Sequence, residues 1–279
     1  MVEAHIDVGT VPAGTWFTPY AAVLRSRIRA QQTYRLSFIS EVFSAFLIGV
    51  VEFAEVWVIF HKVRVLGGLD MDAALLLFGL SNTGFALAQV LAGHLDQLPV
   101  LIRQGTLDAY HLRPQPLLLQ LITGDISLRR LARAAVAMVV LGIGLLRNDI
   151  HWSAGALLLL ATTLITGVLL FAGIFVCAAG LQFFLIDGAE LTNSFTYGGS
   201  FAAMQPASVF PTPLKLLFGF AIPVAFTAYL PTIALLQLPG PALLPAWLAW
   251  LAPLAALWVW GVAFYLWRLG TRHYQGGGG

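Results

Sequence analysis

The sequence predicts an all-α integral membrane protein with six transmembrane helices. Of its 279 residues, 59% are hydrophobic and 10% are charged, whereas roughly 25% of residues in soluble domains are charged. Several apolar stretches have the ~20 residues that cross a ~30 Å hydrocarbon core, and short polar loops separate them. The net charge of +2 says little about partners, and we expect no nucleic acid among them.

Residues 1–35 are expected to form a cytoplasmic tail followed by a helix lying in the membrane interface. Thr18 and Pro19 suit an N-cap and first helical position. An apolar stripe that includes Tyr20 and Ile28 then follows, with arginines largely outside it, as in interfacial helices. The alternative is a cytoplasmic extension of the first span. No small-residue cleavage site follows, so a cleaved signal peptide is not expected.

Five spans are clear from hydropathy, and Asp70 or Asp72 is expected to cap the second. They are residues 36–60, 73–95, 126–146, 154–180 and 245–269.

The sixth crossing lies between residues 187 and 244. Two segments are candidates for this crossing: the polar segment 191–210 and the more hydrophobic segment 214–236, which Pro223 and Pro231 interrupt. Non-helical backbone at membrane depth must be buried in protein or line a cavity. We therefore expect the proline-broken segment, within 211–240, to be a re-entrant helical pair. The permease domain is then 36–275, with a cytoplasmic loop at 97–125 and a glycine tail at 276–279 that is a flexible end or a cloning scar.

The basic residues predict the orientation, because they concentrate in cytoplasmic loops. With the six spans in this order, the larger set of basic residues lies on one side of the membrane and places both termini in the cytoplasm. This set consists of Arg25, Arg27, Arg29, Arg35, Arg103, Arg113, Arg129, Arg130, Arg133, Arg268 and Arg272. Only Lys62, Arg64, Arg147 and Lys215 fall on the other side.

The first span carries three carboxylates, Glu41, Glu52 and Glu55, within about 60° of one another around the helix. Acidic groups at bilayer depth face a bundle interior, a partner charge or water. Glu52 and Glu55 therefore either line a substrate or ion route or pair with Lys62 or Arg64. For Glu41, a position at the inner interface is favoured.

Asn82 and Gln89 lie seven residues apart on one face of the second span. They are candidate pathway residues, although amides at such positions more often join helices.

Enzyme signatures are mostly absent from the sequence. The histidines show no metal-ligand spacing, and we expect no bound metal. A P-loop requires G-x-x-x-x-G-K-[ST], whereas the two lysines lie in FHKVR and PLKLL. This chain is therefore not expected to bind ATP by that device, or to be an enzyme.

The loop between spans 2 and 3 reads RQGTLDAYHLRPQP and resembles the loop of type 2 ABC transporter permeases. The closest likeness is to a bacterial branch with G-T-L-D-x-Y-L-L-R-P at this place, encoded apart from its ATPase. His111 stands where leucine is commoner. The matching residues are Gly105, Thr106, Leu107, Asp108, Tyr110, Leu112, Arg113 and Pro114.

The resemblance implies a type 2 ABC exporter fold in the cell membrane and a dimer of permeases, identical or paired with a sibling. Two ATPase subunits would bind ATP and Mg²⁺, with no cofactor on this chain. The loop would form a short coupling helix docked on the ATPase: Thr106 would cap it, Asp108 would complement its positive end and Pro114 would stop it. Leu107, Tyr110 and Leu112 would offer packing surface, and Arg103 and Arg113 charge.

The function expected from this resemblance is export of an amphipathic, lipid-like or drug-like substrate, with spans 1, 2 and 5 opening the dimer interface. Three alternatives remain open: an ABC importer permease, an ion-coupled secondary transporter using Glu52 and Glu55, and an intramembrane enzyme. The last would need a clustered catalytic set that the sequence does not present.

Overall fold

A computed structural model describes residues 35–124, 128–185 and 188–274. The predicted interfacial helix and the glycine tail lie outside these ranges, as do the side chains of Glu41, Glu52 and Arg129. The described part of the chain is helical and contains no strand longer than a single β-bridge.

The first five helices follow the predicted order, with a broken stretch after the second. They are α1 (Arg35–Lys62), α2 (Met71–Ala92), α3 (Leu98–Arg103), α4 (Leu107–His111) and α5 (Leu117–Ile122). A 3₁₀ turn, Gly93–Gln97, separates α2 from α3, and we call it the hinge turn. Asp70 caps α2 because its Oδ1 accepts a hydrogen bond from the Ala73 amide at 2.9 Å.

The remaining helices are α6 (Leu128–Arg147), α7 (Ala154–Gln182), α8 (Ala189–Ala203), α9 (Thr212–Leu216), α10 (Tyr229–Leu235) and α11 (Ala252–His273). A π-helical turn, Leu217–Ala221, extends α9, and 3₁₀ turns precede α10 and α11. Ser153 caps α7 by accepting a hydrogen bond from the Ala156 amide at 3.1 Å.

Helix α2 lies at the centre of the bundle and is buried on nearly all sides between α6 and α7. Small residues permit this packing: a Cβ at Gly79 would lie 2.6 Å from the Leu141 Cα, and one at Gly84 would lie 3.4 Å from the Gly167 carbonyl carbon. Such close backbone approaches are typical of helices in membranes. A similar contact joins α7 to α11, where a Cβ at Gly180 would meet the backbone of Leu266 and Trp267 at 2.8 Å.

Three helical segments of the described residues are long and apolar enough to cross a bilayer: Met71–Arg103, Ala154–Gln182 and Ala246–His273. Counting the proline-broken pair as one span would give a fourth. Helices α1 and α6 have 28 and 20 residues, enough for a ~30 Å core at ~1.5 Å per residue. The total of six crossings stays a prediction.

The proline-broken pair bends by 71° between Thr212–Ala221 and Val224–Leu235. Its bend packs inside the bundle, with Thr227 3.8 Å from a Cβ built at Gly167, in the middle of α7. Just before the pair, Ser208 donates a hydrogen bond to the Gly67 carbonyl in the loop between α1 and α2. The polar helix α8 has 15 residues, about 22 Å, and is shorter than the segment 191–210 assigned from sequence.

Candidate functional site

The segment that resembles a coupling loop forms a compact projection, residues 98–116, which we call the knob. Pro99 lies in the first turn of α3, and Gly105 ends that helix with a left-handed φ of 67°. Glycine adopts this conformation without the steric cost that a Cβ would add. Helix α4 ends at His111, before Pro114.

Thr106 occupies the N-cap position of α4 but makes no cap hydrogen bond, so this expectation was wrong. Its backbone is already helical, with φ −73° and ψ −15°, whereas a capping side chain needs an extended backbone. The hydroxyl instead donates to the Leu101 carbonyl at 3.3 Å, and so ties α4 back to α3.

Leu107 and Leu112 take opposite roles in the knob. Leu107 is 0% exposed and belongs to the main hydrophobic core, whereas Leu112 is 88% exposed. Leu107 therefore anchors the knob to this chain and offers no surface to another protein. Tyr110 is half-buried against the core, with the Arg113 guanidinium 5.3 Å above its ring.

The outward surface of the knob is charged and apolar together. Arg103, Thr106, Arg113 and Pro114 are exposed, as is Leu112, while Gly105 and Asp108 are partly buried. Buried Gln120 donates to the Tyr110 carbonyl at 3.1 Å and to the Gln115 carbonyl at 2.7 Å. These bonds fix the segment of the knob that follows α4, so that the surface of the knob is preformed.

The end of α11 closes over the knob. The Tyr274 hydroxyl donates to Oδ1 of Asp108 at 2.8 Å, and its ring stacks on His111 with centroids 5.5 Å apart. Desolvation, together with the hydrogen bond and negative charge of Asp108, raises the pKa of Tyr274 to about 12. The phenol is therefore protonated at neutral pH and keeps donating. His111, which departs from the commoner leucine, thus has a defined partner.

A second feature is a cavity of about 230 Å³ among α1, α2, α6 and α8. It combines charged, hydroxyl, amide and apolar groups: Glu55, Phe78, Arg133, Tyr197, Ser200, Phe201, Met204 and Gln205. Among the predicted pathway residues, the structure places Glu55 on this wall. The side chain of Glu52 lies outside the described residues.

Asn82 and Gln89 are buried between helices and are not among the residues that line this cavity. The Gln89 side chain donates to the Tyr197 hydroxyl at 3.3 Å, and that hydroxyl donates to Oδ2 of Asp96 at 2.7 Å. Tyr197 therefore connects the cavity wall on α8 with the end of α2. Sequence reasoning did not single out Asp96, although it extends the seven-residue spacing of Asn82 and Gln89.

The described residues show no cluster of side chains that could hold a metal ion. No three His, Cys, Asp or Glu side chains within them come together as metal ligands. Lys62 is exposed and Lys215 is half-buried. The candidate site thus consists of an exposed, preformed surface on the knob and a cavity with mixed polar and apolar walls.

These features define a helical protein with several helices long and apolar enough to cross a membrane. A family model described as "ABC-2 family transporter protein" matches residues 46–278. The chain therefore belongs to the ABC-2 transporter family and is the membrane component, or permease, of an ABC transporter. Permeases of this family generally work with an ATPase subunit. No curated protein and no solved structure matched the chain.

Proposed function

We propose that this chain is the permease of an exporter in the cell membrane, driven by separate ATPase subunits that dock on the knob. The observation that carries the proposal is the contrast between Leu107, which is buried in the core, and Leu112, which is exposed on the knob. A buried anchor on one side and an 88% exposed leucine beside Arg113 on the other make a rigid, solvent-facing surface. Exposed Leu112 and Pro114 beside Arg103 and Arg113 offer both apolar and charged contacts to a partner protein.

The charge distribution supports an orientation with the knob in the cytoplasm. Arg103 and Arg113 lie on the knob and Arg272 near the end of α11, where Tyr274 contacts Asp108. Basic residues favour the cytoplasmic side. Both termini would then be cytoplasmic.

In this orientation, the proline-broken pair is a re-entrant element on the outer side. It starts beside Gly67, in the loop remote from the knob, and its bend packs against the middle of α7. Its return leads into α11, which ends at the knob. The sixth crossing falls to α8 with its 3₁₀ extension, Ala207–Val209.

The cavity at Glu55 is the proposed substrate route. Its carboxylate, hydroxyls and amide can hold a polar group, while Phe78, Phe201 and Met204 offer surface to an apolar one, which suits an amphipathic, lipid-like or drug-like substrate. Helix α1 exposes apolar residues widely, among them Phe43, Phe46 and Val51. This face would contact lipid or a second permease, identical or a sibling, that completes the route.

The test is co-expression and reconstitution with ABC ATPase subunits encoded in the same genome. We expect co-purification and ATP-dependent accumulation of a lipophilic dye inside inverted vesicles, whose cytoplasmic face points outward, and loss of this accumulation when the ATPase Walker lysine is replaced. Failure to co-purify would contradict the proposal, and ATP-dependent movement of the dye out of the inverted vesicles would indicate an importer.

An ion-coupled secondary transporter is the second candidate, favoured by the carboxylate of Glu55 on the cavity wall. It predicts transport by this chain alone that collapses with the ion gradient and is lost in Glu55→Gln. Transport that needs ATP and survives an uncoupler would exclude it.

A further inference from the structure

The connection between the knob and the cavity passes through a break in the helix. Residues 71–103 would form one long helix, but the hinge turn Gly93–Gln97 interrupts it immediately before the knob. Stretches of 3₁₀ helix within a longer helix often mark hinges, since their hydrogen-bond geometry is poorer. Motion of the knob relative to α2 would concentrate in this turn.

Two neighbouring helices hold the hinge turn from outside. From α6, the Arg130 guanidinium donates to the Gly93 carbonyl at 2.9 Å. From α8, the Tyr197 hydroxyl donates to the Asp96 carboxylate at 2.7 Å. A Cβ at position 93 would lie 3.0 Å from Cζ of Arg130, so the glycine gives the guanidinium room to reach the carbonyl.

Tyr197 spans the break. Its hydroxyl accepts from Gln89, in the last turns of α2, and donates to Asp96, in the hinge turn. A shift of the hinge turn along or around the axis of α2 therefore changes both hydrogen bonds together. The ring of the same residue lines the cavity with Glu55 and packs edge-on against Phe85, with centroids 5.6 Å apart.

We propose that Tyr197 is a positioning residue that couples the knob to the cavity through its hydrogen bonds to Asp96 and Gln89. When the ATPase moves the knob, the hinge turn carries Asp96, and Tyr197 transmits that displacement to the cavity wall. The link is reciprocal, because any state that displaces Tyr197 also changes the position favoured by the knob. This inference rests on the proposed docking of an ATPase on the knob.

The first arm of the test needs no ATPase. Hydrogen exchange of the amides in residues 93–111 is measured on the purified full chain, comparing Tyr197→Phe with wild type. Because the bond is partly exposed to solvent, which weakens a charge-assisted hydrogen bond, its loss should speed exchange there by roughly five- to tenfold. The matched control, Tyr265→Phe, removes a hydroxyl from an exposed tyrosine of α11 and should change nothing. Unchanged exchange in Tyr197→Phe would show that the Tyr197 hydroxyl does not hold the hinge turn and would overturn the proposal.

A second variant separates the shared bond from general loosening. Asp96→Asn keeps an acceptor oxygen but removes the charge, so it should speed exchange less than Tyr197→Phe. Combining the two should add little to Tyr197→Phe alone, because both act on one interaction. Fully additive effects would contradict a direct link.

The second arm uses the complex with the ATPase and a reporter in the cavity. Gln205→Cys, in a Cys177→Ala background, is labelled with a water-soluble maleimide before and after trapping with ATP and vanadate. We expect trapping to change the labelling rate at least about fivefold, within the usual range of coupling between sites, and Tyr197→Phe to abolish this response without loss of co-purification. A retained response would overturn the coupling. If no complex forms, the proposed function is wrong and so is the coupling that rests on it. The exchange measurement still decides whether Tyr197 holds the hinge turn.

Discussion

Replacing Tyr274 by phenylalanine removes one hydroxyl from the contact between α11 and the knob. The lost bond to Asp108 is 2.8 Å long and involves a carboxylate. Hydrogen bonds to charged groups contribute about 1.5–3 kcal/mol when buried, and partial exposure of this pair reduces the value to about 1 kcal/mol. Local opening of the knob should therefore become roughly fivefold more frequent.

Limited digestion with trypsin measures this opening, because the bond after Arg103 lies inside the knob. Cleavage there should accelerate roughly fivefold in Tyr274→Phe, while cleavage after Arg64, in the loop between α1 and α2, serves as the internal control. Tyr274→Ala also removes the ring contacts with His111 and Phe183, each worth about 0.5–1.5 kcal/mol, and should accelerate it further. Equal cleavage rates in wild type and both variants would refute the reasoning.

Three further predictions concern stability and docking. Leu107→Ala should destabilise the chain by about 2–5 kcal/mol in thermal unfolding in detergent, because it empties a core position. Leu112→Ala should leave stability unchanged and weaken ATPase binding, and the reverse pattern would contradict the assigned roles. Gly79→Ala should lower the unfolding temperature, since its Cβ would lie 2.6 Å from the backbone of α6. Gly142→Ala, which has open space around it, should leave the unfolding temperature unchanged, and equal shifts in the two variants would argue against the close packing at Gly79. Arg147→Gln should change stability by no more than about 1 kcal/mol, because the guanidinium is 63% exposed and its ion pair is screened by water; a larger loss on chemical denaturation would show that the pair is shielded.

The helices were predictable from hydropathy because apolar runs and polar loops alternate clearly. The predicted spans 36–60 and 154–180 correspond to α1 at Arg35–Lys62 and α7 at Ala154–Gln182. The predicted end of the second span at residue 95 falls within the hinge turn, but the 3₁₀ form of this turn and the helix that follows it directly were not predicted. Gly93, the polar residues after it and Pro99 indicate that the span ends here, but they do not distinguish a 3₁₀ turn from a loop.

The residues of the site were predictable only in part. The sequence motif drew attention to the knob, but a five-residue helix is too short for periodicity to tell the buried Leu107 from the exposed Leu112. The bond between Tyr197 and Asp96 joins residues 101 positions apart, and tertiary packing alone brings them together. The same holds for Asp108 and Tyr274, since neither sequence pattern nor hydropathy indicates that α11 ends on the knob.

Site-specific photo-crosslinking tests the central claim, that an ATPase docks on the knob. The photoreactive residue p-benzoylphenylalanine replaces either Leu112 on the knob or Leu146 at the opposite end of the bundle, two leucines that are both 88% exposed. Irradiation of membranes that contain this chain and the ATPase should cross-link the ATPase to position 112 and not to position 146. Cross-linking at position 146 instead, or at neither position while the complex is intact, would contradict the account.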